Sequence, residues 1–174
     1  MKHLVKFFVV TFILVVSTSA FAEQKIVVMD MTYVLNNSKA GKEAQEFLKN
    51  KFNDNAKKFA DIEKELRQGE NDLLAKKTIL SKEEYTSKSD ELRKQVIDYQ
   101  SKRRSSLDKI AKQRAEARET LVNKVKPLVD DYIKENGISL VIDKKNMVGG
   151  RTEYDITTII VEKLNKELPS LNLK

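Results

Sequence analysis

Two short β-prone runs lie near the two ends of a chain whose middle follows a helical pattern. KIVVMDM at residues 25–31 clusters Ile, Val and Met, and the comparable run is ISLVID at residues 138–143. Runs of this composition predict strands. MTYVLNNS, which begins at Met31, predicts a short helix. Because about a hundred residues separate the two runs, neither predicted strand has a partner nearby in sequence.

A long helix is predicted to begin near Ser38, with apolar residues at the spacing of a coiled coil. Four of them recur every seven residues, the period of a coiled-coil seam: Phe52, Phe59, Leu66 and Leu73. Asn55 and Gly69 interrupt the second apolar position of the repeat, and Gly69 costs about 1 kcal/mol of helix propensity. These interruptions indicate either built-in flexibility or an imperfect seam, and the sequence favours neither.

A second long helix is predicted to begin at Ser81, because Ser81 and Glu84 have the spacing of a capping box. It extends to about Asn136, where Gly137 is expected to end it in the left-handed conformation. Pro127 lies inside this span and predicts either a kink or a new helical start.

The predicted seam continues on the second helix at Leu92, Val96 and Tyr99. The step from Val96 to Leu107 is eleven residues, so strict heptads are not expected to persist. At 1.5 Å per residue the second helix spans about 80 Å, which is more than a globular domain of this mass needs. An antiparallel hairpin is therefore predicted to project as an arm, with its tip near residues 77–81.

After Gly137 the pattern returns to that of strands and then predicts one amphipathic helix. KKNMV and a Gly149–Gly150 pair follow ISLVID. Asp155 is the expected N-cap of the closing helix. The apolar stripe predicted for this helix comprises Ile156, Ile159, Ile160, Leu164 and Leu168.

The two isolated strands predict an oligomer. A hairpin that leaves a body and returns to it brings residues 25–31 and 138–143 side by side. A single pair of strands is only marginally stable in water, and it leaves two edges unpaired. We therefore expect several chains to combine their strands in one common sheet or barrel.

The N-terminal segment has the pattern of a secretory signal peptide. Lys2 and Lys6 precede an apolar run, and Ala20 and Ala22 supply a small-residue cleavage site, so cleavage is expected after Ala22. The rival interpretation is a membrane anchor, but the apolar run is short against the ~20 residues of a spanning helix. The predicted organisation is a signal peptide at 1–22, a body from 23–38 and 137–174, and an arm at 39–136.

The composition argues against an enzyme. The chain has no Cys, and its single His is His3, inside the segment expected to be removed. Nucleophilic triads and zinc sites built on imidazole or thiolate are thereby excluded, and no phosphate-binding loop motif occurs. No cofactor or metal is predicted. Charged residues make up 34% and apolar residues 40% of the chain, which suits long helices exposed to water.

A strongly basic stretch is the main candidate for binding. Without Lys2 and Lys6 the chain has 31 basic and 26 acidic residues, a net charge of +5. Residues 101–126 carry nine basic against three acidic residues. The candidate binding residues are Lys102, Arg103, Arg104, Lys109, Lys112, Arg114 and Arg118.

This stretch is either a solubilising helix face or a surface for an acidic partner. Export and the missing recognition motif disfavour nucleic acid. Anionic lipid or an acidic unfolded polypeptide fits the expected compartment better.

The two ends of the chain carry family-specific motifs. IVVMDMTYVLNNSKAGKEAQEFL has a strand that ends in Asp, then a V-L-N-x-S turn and A-G-K. Near the other end stand NGISLVIDKKNMV and EYDITTIIVEKLN. In these motifs the chain resembles the Skp/OmpH family of periplasmic chaperones over its whole length, with specific ends and a generic coiled-coil middle.

The resemblance implies an α+β fold, mainly α, in which three chains build a small β-barrel body and each contributes one helical arm. It implies an ATP-independent periplasmic holdase that keeps unfolded outer-membrane proteins in the cavity between the arms. Gly149 and Gly150 stand where relatives often continue a third strand, so the resemblance leaves open whether that strand is shortened here. The body residues implied are Ile26, Val27, Val28, Met29, Leu140, Val141 and Ile142.

Two other functions remain open from the sequence. One is an exported basic coiled-coil protein that binds anionic lipid or lipopolysaccharide, and the other is a structural spacer. Salt dependence separates the first of these, because binding driven by counterion release weakens steeply with salt.

Overall fold

The computed structural model describes residues 24–173, so the signal peptide predicted for residues 1–22 lies outside the described residues. The chain is mostly helical, with two long helices and one small sheet. Its elements are β1 (Lys25–Met29), α1 (Met31–Asn37), α2 (Lys39–Ala75), α3 (Lys82–Asn136), β2 (Ile138–Asp143) and α4 (Thr157–Glu167).

The two long helices, α2 and α3, form the predicted hairpin. Phe59 of α2 packs against Tyr99 of α3, and nearer the tip Gly69 lies opposite Leu92. As residue numbers rise along α2, the numbers of the contacting residues on α3 fall, so the two helices are antiparallel. The helices span 37 and 55 residues, or roughly 55 and 80 Å at 1.5 Å per residue.

The predicted ends of α3 are confirmed. The Ser81 hydroxyl accepts from the Glu84 N–H at 3.2 Å, while the Ser81 N–H donates to the Glu84 carboxylate at 3.0 Å, which completes the capping box. Gly137 follows with φ 60° and ψ 34°, the left-handed conformation that Gly adopts without strain. Pro127 lies within the one helix, so the alternative of a new helical start there is wrong.

The body is built on a parallel pair of strands. β1 pairs with β2 in a register that sets Ile26 beside Leu140 and Val28 beside Ile142. Parallel strands need a long crossover, and the hairpin supplies it. One face of the sheet packs on α1, the root of α3 and α4. This core comprises Val27, Met29, Val34, Leu35, Ala40, Leu121, Val125, Ile138, Ile156, Ile160 and Leu164.

The segment between β2 and α4 forms turns, and the sheet of the described residues has two strands. Two short 3-10 turns occupy Lys144–Asn146 and Thr152–Tyr154. A single bridge joins Val28 to Asp155, where the Ile156 N–H donates to the Val28 carbonyl at 2.9 Å. The third strand is reduced to this bridge.

The closing helix differs from its prediction in two respects. α4 begins at Thr157 with Ile156 in the N-cap position, one residue later than predicted, although the Asp155 carboxylate accepts from the Thr157 N–H at 2.9 Å as the side chain of an N-cap does. Ile159 is exposed, whereas Ile160 and Leu164 are buried. The apolar face that α4 buries is thus narrower than predicted, because it excludes Ile159.

None of the helices within residues 24–173 combines the length and apolarity needed to cross a membrane.

Candidate functional site

All seven candidate basic residues lie exposed on α3, the longer helix of the arm. Lys102 forms an ion pair with Asp98 at 2.6 Å, and Lys112 forms a long one with Glu116 at 3.8 Å. Within residues 24–173 the remaining five make no ion pair: Arg103, Arg104, Lys109, Arg114 and Arg118. Their charges are therefore available to an external acidic group.

The seam residues differ in their burial. Phe59 is buried, and the half-buried ones are Leu66, Leu73, Leu92, Val96 and Tyr99. Phe52 is 47% exposed, so the prediction that it belongs to the seam is wrong. Because a straight helix drifts about 20° per heptad relative to a strict seven-residue repeat, the inward position near the arm's root passes to Leu48 and Ala44, both buried.

On α3 the heptad persists further than the sequence predicted. Ser106 and Gln113 continue the seven-residue series from Leu92 and Tyr99, and both are half-buried, whereas Leu107 is exposed. Counting in steps of seven from Tyr99 identifies Ser106 and Gln113. The apolar pattern does not indicate these two positions because both side chains are polar.

A polar and aromatic cluster links the two helices midway along the arm. The rings of Phe59 and Tyr99 meet edge to face, with centroids 6.0 Å apart. The Tyr99 hydroxyl donates to Glu63 at 3.2 Å, and Arg67 donates to the same carboxylate at 2.8 Å. Arg67, followed by Tyr99, holds the pKa of Glu63 below its usual value. Burial and the bond to Glu63 raise the pKa of Tyr99.

An open groove of about 790 Å³ runs along one side of the arm's root. We call it the root groove. Apolar side chains from both helices line its floor: Ala44, Leu48, Phe52, Ala117 and Leu121. Charged and amide side chains stand along its rim: Asn36, Gln45, Glu46, Lys49, Asn50, Arg114 and Arg118. Of the candidate basic residues, this groove brings together Arg114 and Arg118.

The outer face of the sheet is also apolar. Ile26 and Leu140, which pair across the strands, are 42% and 51% exposed. A second groove of about 620 Å³ beside them is lined by Val28, Ile142 and Tyr154 among others. Of the remaining predicted body residues, Val27 and Met29 are buried in the core, and Val141 is half-buried against it.

No group of three or more side chains among His, Cys, Asp and Glu is arranged to hold a metal ion within residues 24–173.

Comparison with known proteins assigns the chain to a family. The profile of the family "Outer membrane protein (OmpH-like)" matches residues 25–164. A crystal structure from Caulobacter crescentus CB15, described as an OmpH-like candidate outer membrane chaperone, superposes with a TM-score of 0.80 at 16% identity. The match covers 91% of this chain and 94% of that one, while no curated protein matches. The chain belongs to the OmpH-like outer membrane protein family.

Proposed function

We propose that this protein is an ATP-independent holdase chaperone of the periplasm that binds unfolded outer-membrane proteins and prevents their aggregation. The observation that carries the proposal is the family match over residues 25–164, which includes both the arm and the body. The likeness to the Caulobacter protein supports the same fold.

The oligomer is part of the proposal. Three chains join through their sheets in one small barrel, and the three arms enclose a cavity. The exposed outer face around Ile26 and Leu140 supports this assembly, because apolar surface on a two-stranded sheet gains stability when a second chain covers it. Domain boundaries at 23–38, 39–136 and 137–174 follow from the same arrangement.

The arm surface suits a client that must be shielded without being trapped. Exposed Ile97 and Leu107 offer separate apolar contacts, and the unpaired cations attract acidic segments over a distance of about 10 Å at ordinary salt. Each such contact is weak and can break and re-form quickly. Many of them together hold a client without trapping it. The proposed client-binding residues remain Lys102, Arg103, Arg104, Lys109, Lys112, Arg114 and Arg118.

The direct test is aggregation of an outer-membrane barrel protein after dilution from urea. Light scattering is followed without ATP, in the presence and absence of the purified protein. We expect scattering to fall to near zero at a stoichiometric ratio of oligomer to client. A basic protein such as lysozyme is the control for unspecific charge effects. Aggregation that proceeds unchanged contradicts the holdase proposal.

A second candidate function is binding to anionic lipid or lipopolysaccharide, which the five unpaired cations of α3 favour. Sedimentation with vesicles that contain or lack anionic lipid tests it. Binding that requires the anionic lipid and weakens steeply with salt would support this function, and equal binding to both kinds of vesicle would contradict it.

A further inference from the structure

We propose that the root groove is a docking site for a short, extended, apolar segment of an unfolded polypeptide that carries acidic side chains next to it. This inference rests on the proposed chaperone function and identifies which part of a client the groove receives.

The floor supplies an apolar surface that the chain itself leaves uncovered. Phe52 lines the groove and is 47% exposed, outside the buried contact between the two helices. Leu48, Ala117 and Leu121 beneath it are buried, so the floor is held rigid by the packing of α2 on α3. A volume of about 790 Å³ lies within the usual range of ligand sites. The groove therefore receives a few client residues, while the rest of the client lies elsewhere.

The cations of the rim specify an acidic neighbour. Arg114 and Arg118 are four residues apart, so their side chains lie on one face of α3. Neither forms an ion pair within residues 24–173, and a guanidinium binds a carboxylate through two parallel hydrogen bonds. Lys49 adds a third positive charge and Glu46 one negative charge. The charged rim is therefore cationic overall, and it complements a segment with Asp or Glu at its flank.

The amides of the rim favour a polypeptide over an acyl chain. Asn36, Gln45 and Asn50 stand along the groove, and each amide can both donate and accept a hydrogen bond. Gln45 donates to the Asn36 backbone carbonyl at 3.1 Å and to the Asn36 side-chain oxygen at 3.4 Å, so the amide oxygen of Gln45 is the group left to accept from a client N–H. An extended strand presents N–H and C=O groups that match such amides. A hydrocarbon chain presents none.

The test uses the full mature protein and a fluorescein-labelled peptide of alternating Val and Tyr with two Glu at one end. Fluorescence anisotropy gives its affinity. We expect the double variant R114Q/R118Q to weaken binding at least ~10-fold, the scale of losing hydrogen bonds to charged groups. Phe52→Ser is expected to weaken it comparably through loss of the floor. The matched control K57Q/K58Q removes the same charge from exposed positions of α2 that line no part of the groove, and it should change affinity less than about 2-fold.

Four outcomes overturn the assignment. Equal weakening by both double variants would mean that only the overall basic charge attracts the peptide. Unchanged binding in Phe52→Ser would remove the floor from the site. Saturable binding of dodecyl phosphate without binding of the peptide would assign the groove to a lipid. A changed sedimentation coefficient in R114Q/R118Q without a change in peptide affinity would assign it to contact with a second copy of the chain.

The aggregation assay separates this inference from the proposed function. If the wild-type protein suppresses aggregation but binds no peptide in the groove, only the groove assignment fails. If it does not suppress aggregation at all, the chaperone proposal fails whatever the peptide does. Weaker suppression of aggregation by R114Q/R118Q than by K57Q/K58Q supports both the chaperone proposal and the groove assignment.

Discussion

Gly41 is the position at which one missing atom determines how the arm joins the body. Its N–H donates to the Ser38 hydroxyl at 3.1 Å, which caps the start of α2. A Cβ built on Gly41 would lie 1.8 Å from the Leu35 carbonyl oxygen and 2.9 Å from the Ser38 hydroxyl. The obstacle at Leu35 is backbone, so α1 and α2 can approach this closely only because residue 41 has no side chain.

Gly41→Ala is therefore expected to lower the free energy of unfolding by about 1–3 kcal/mol, the cost of forcing an extra methyl into a packed site. Urea unfolding followed by circular dichroism measures the change. Ala is the better helix former, so a neutral or stabilising result would contradict the close approach of α2 to Leu35.

Asp155 joins three parts of the body through its carboxylate. It accepts from the Thr157 N–H at 2.9 Å and from Lys144 at 2.7 Å, while the Thr157 hydroxyl accepts from the Asp30 N–H at 2.9 Å. Burial raises the pKa of Asp155, but Lys144 and Thr157 outweigh it and hold the pKa below the usual value. The D and T of the YDIT motif thus connect the closing helix to the end of β1.

The lowered pKa predicts a stability that depends on pH. Stabilisation by the charged carboxylate is present above the unfolded pKa of about 3.9 and is lost as the pH falls through the lower folded value. Asp155→Asn should therefore reduce the urea midpoint at pH 7, and the difference from wild type should shrink as the pH falls below the unfolded pKa of about 3.9. A difference that stays constant across this range would show that the charge of Asp155 contributes nothing.

At the scale of the elements, local sequence patterns predicted where helices begin and end better than they predicted which side of a helix is buried. Ser81, Glu84 and Gly137 act through bonds within a few residues, so the sequence was sufficient to predict both ends of α3. Which side of α2 faces α3 depends on how the two helices wind around each other, and this determined that Phe52 is exposed. The assigned start of α4 lies one residue after the predicted one, yet the local signal at Asp155 was real, because its carboxylate accepts from the Thr157 N–H of the first turn.

Gly69 offers a test of the seam itself. A Cβ at this position would meet only the Leu92 Cδ1 atom, at 3.6 Å, an ordinary van der Waals distance. Gly69→Ala should accordingly stabilise the arm by about 0.5–1 kcal/mol through helix propensity, which raises the urea midpoint. Gly69→Ala introduces the same methyl group on the same helix as Gly41→Ala. We therefore expect the free energy of unfolding to rise in Gly69→Ala and to fall in Gly41→Ala. Destabilisation by Gly69→Ala would mean that the seam needs a gap here.

At the scale of the whole molecule, the outer face of the sheet is where assembly should be sensitive. Ile26→Lys combined with Leu140→Lys places two charges side by side in the proposed interface between chains. We expect the oligomer to dissociate to monomer in analytical ultracentrifugation, with at least ~10-fold weaker association because unpaired charges are costly to bury. The helical circular dichroism signal should persist. Ile97→Lys, an exposed site on the arm, is the control, and an oligomer unaffected by the double substitution contradicts assembly through the sheet.

The sequence predicted the strands of the body because their residues are contiguous in the chain. It predicted less of the binding surface because the residues of that surface come from separate elements. The strands follow from clustered β-branched residues within 25–31 and 138–143, although the first ends at Met29, and the return of the antiparallel hairpin brings them together. The root groove has no such signature, because its floor combines Leu48 of α2 with Leu121 of α3 and its rim combines amides of α1 and α2 with arginines of α3. Arg114 and Arg118 could be named beforehand only as part of a longer basic stretch, and Phe52 only as a seam residue.

The parallel pairing of β1 with β2 also fixes the order in which the chain can fold. The first strand emerges early in synthesis, yet its partner follows more than a hundred residues later, and Ile156, Ile160 and Leu164 of the same core come later still. The hairpin closes through a short tip, so it forms from local contacts and brings the two strands together before the entropy of a long open loop must be overcome. We therefore expect the arm to fold first and the body last. A nascent chain that stops before Ile156 is expected to keep its arm while Val27 and Met29 stay uncovered, and this exposed strand distinguishes an unfinished chain from a complete one.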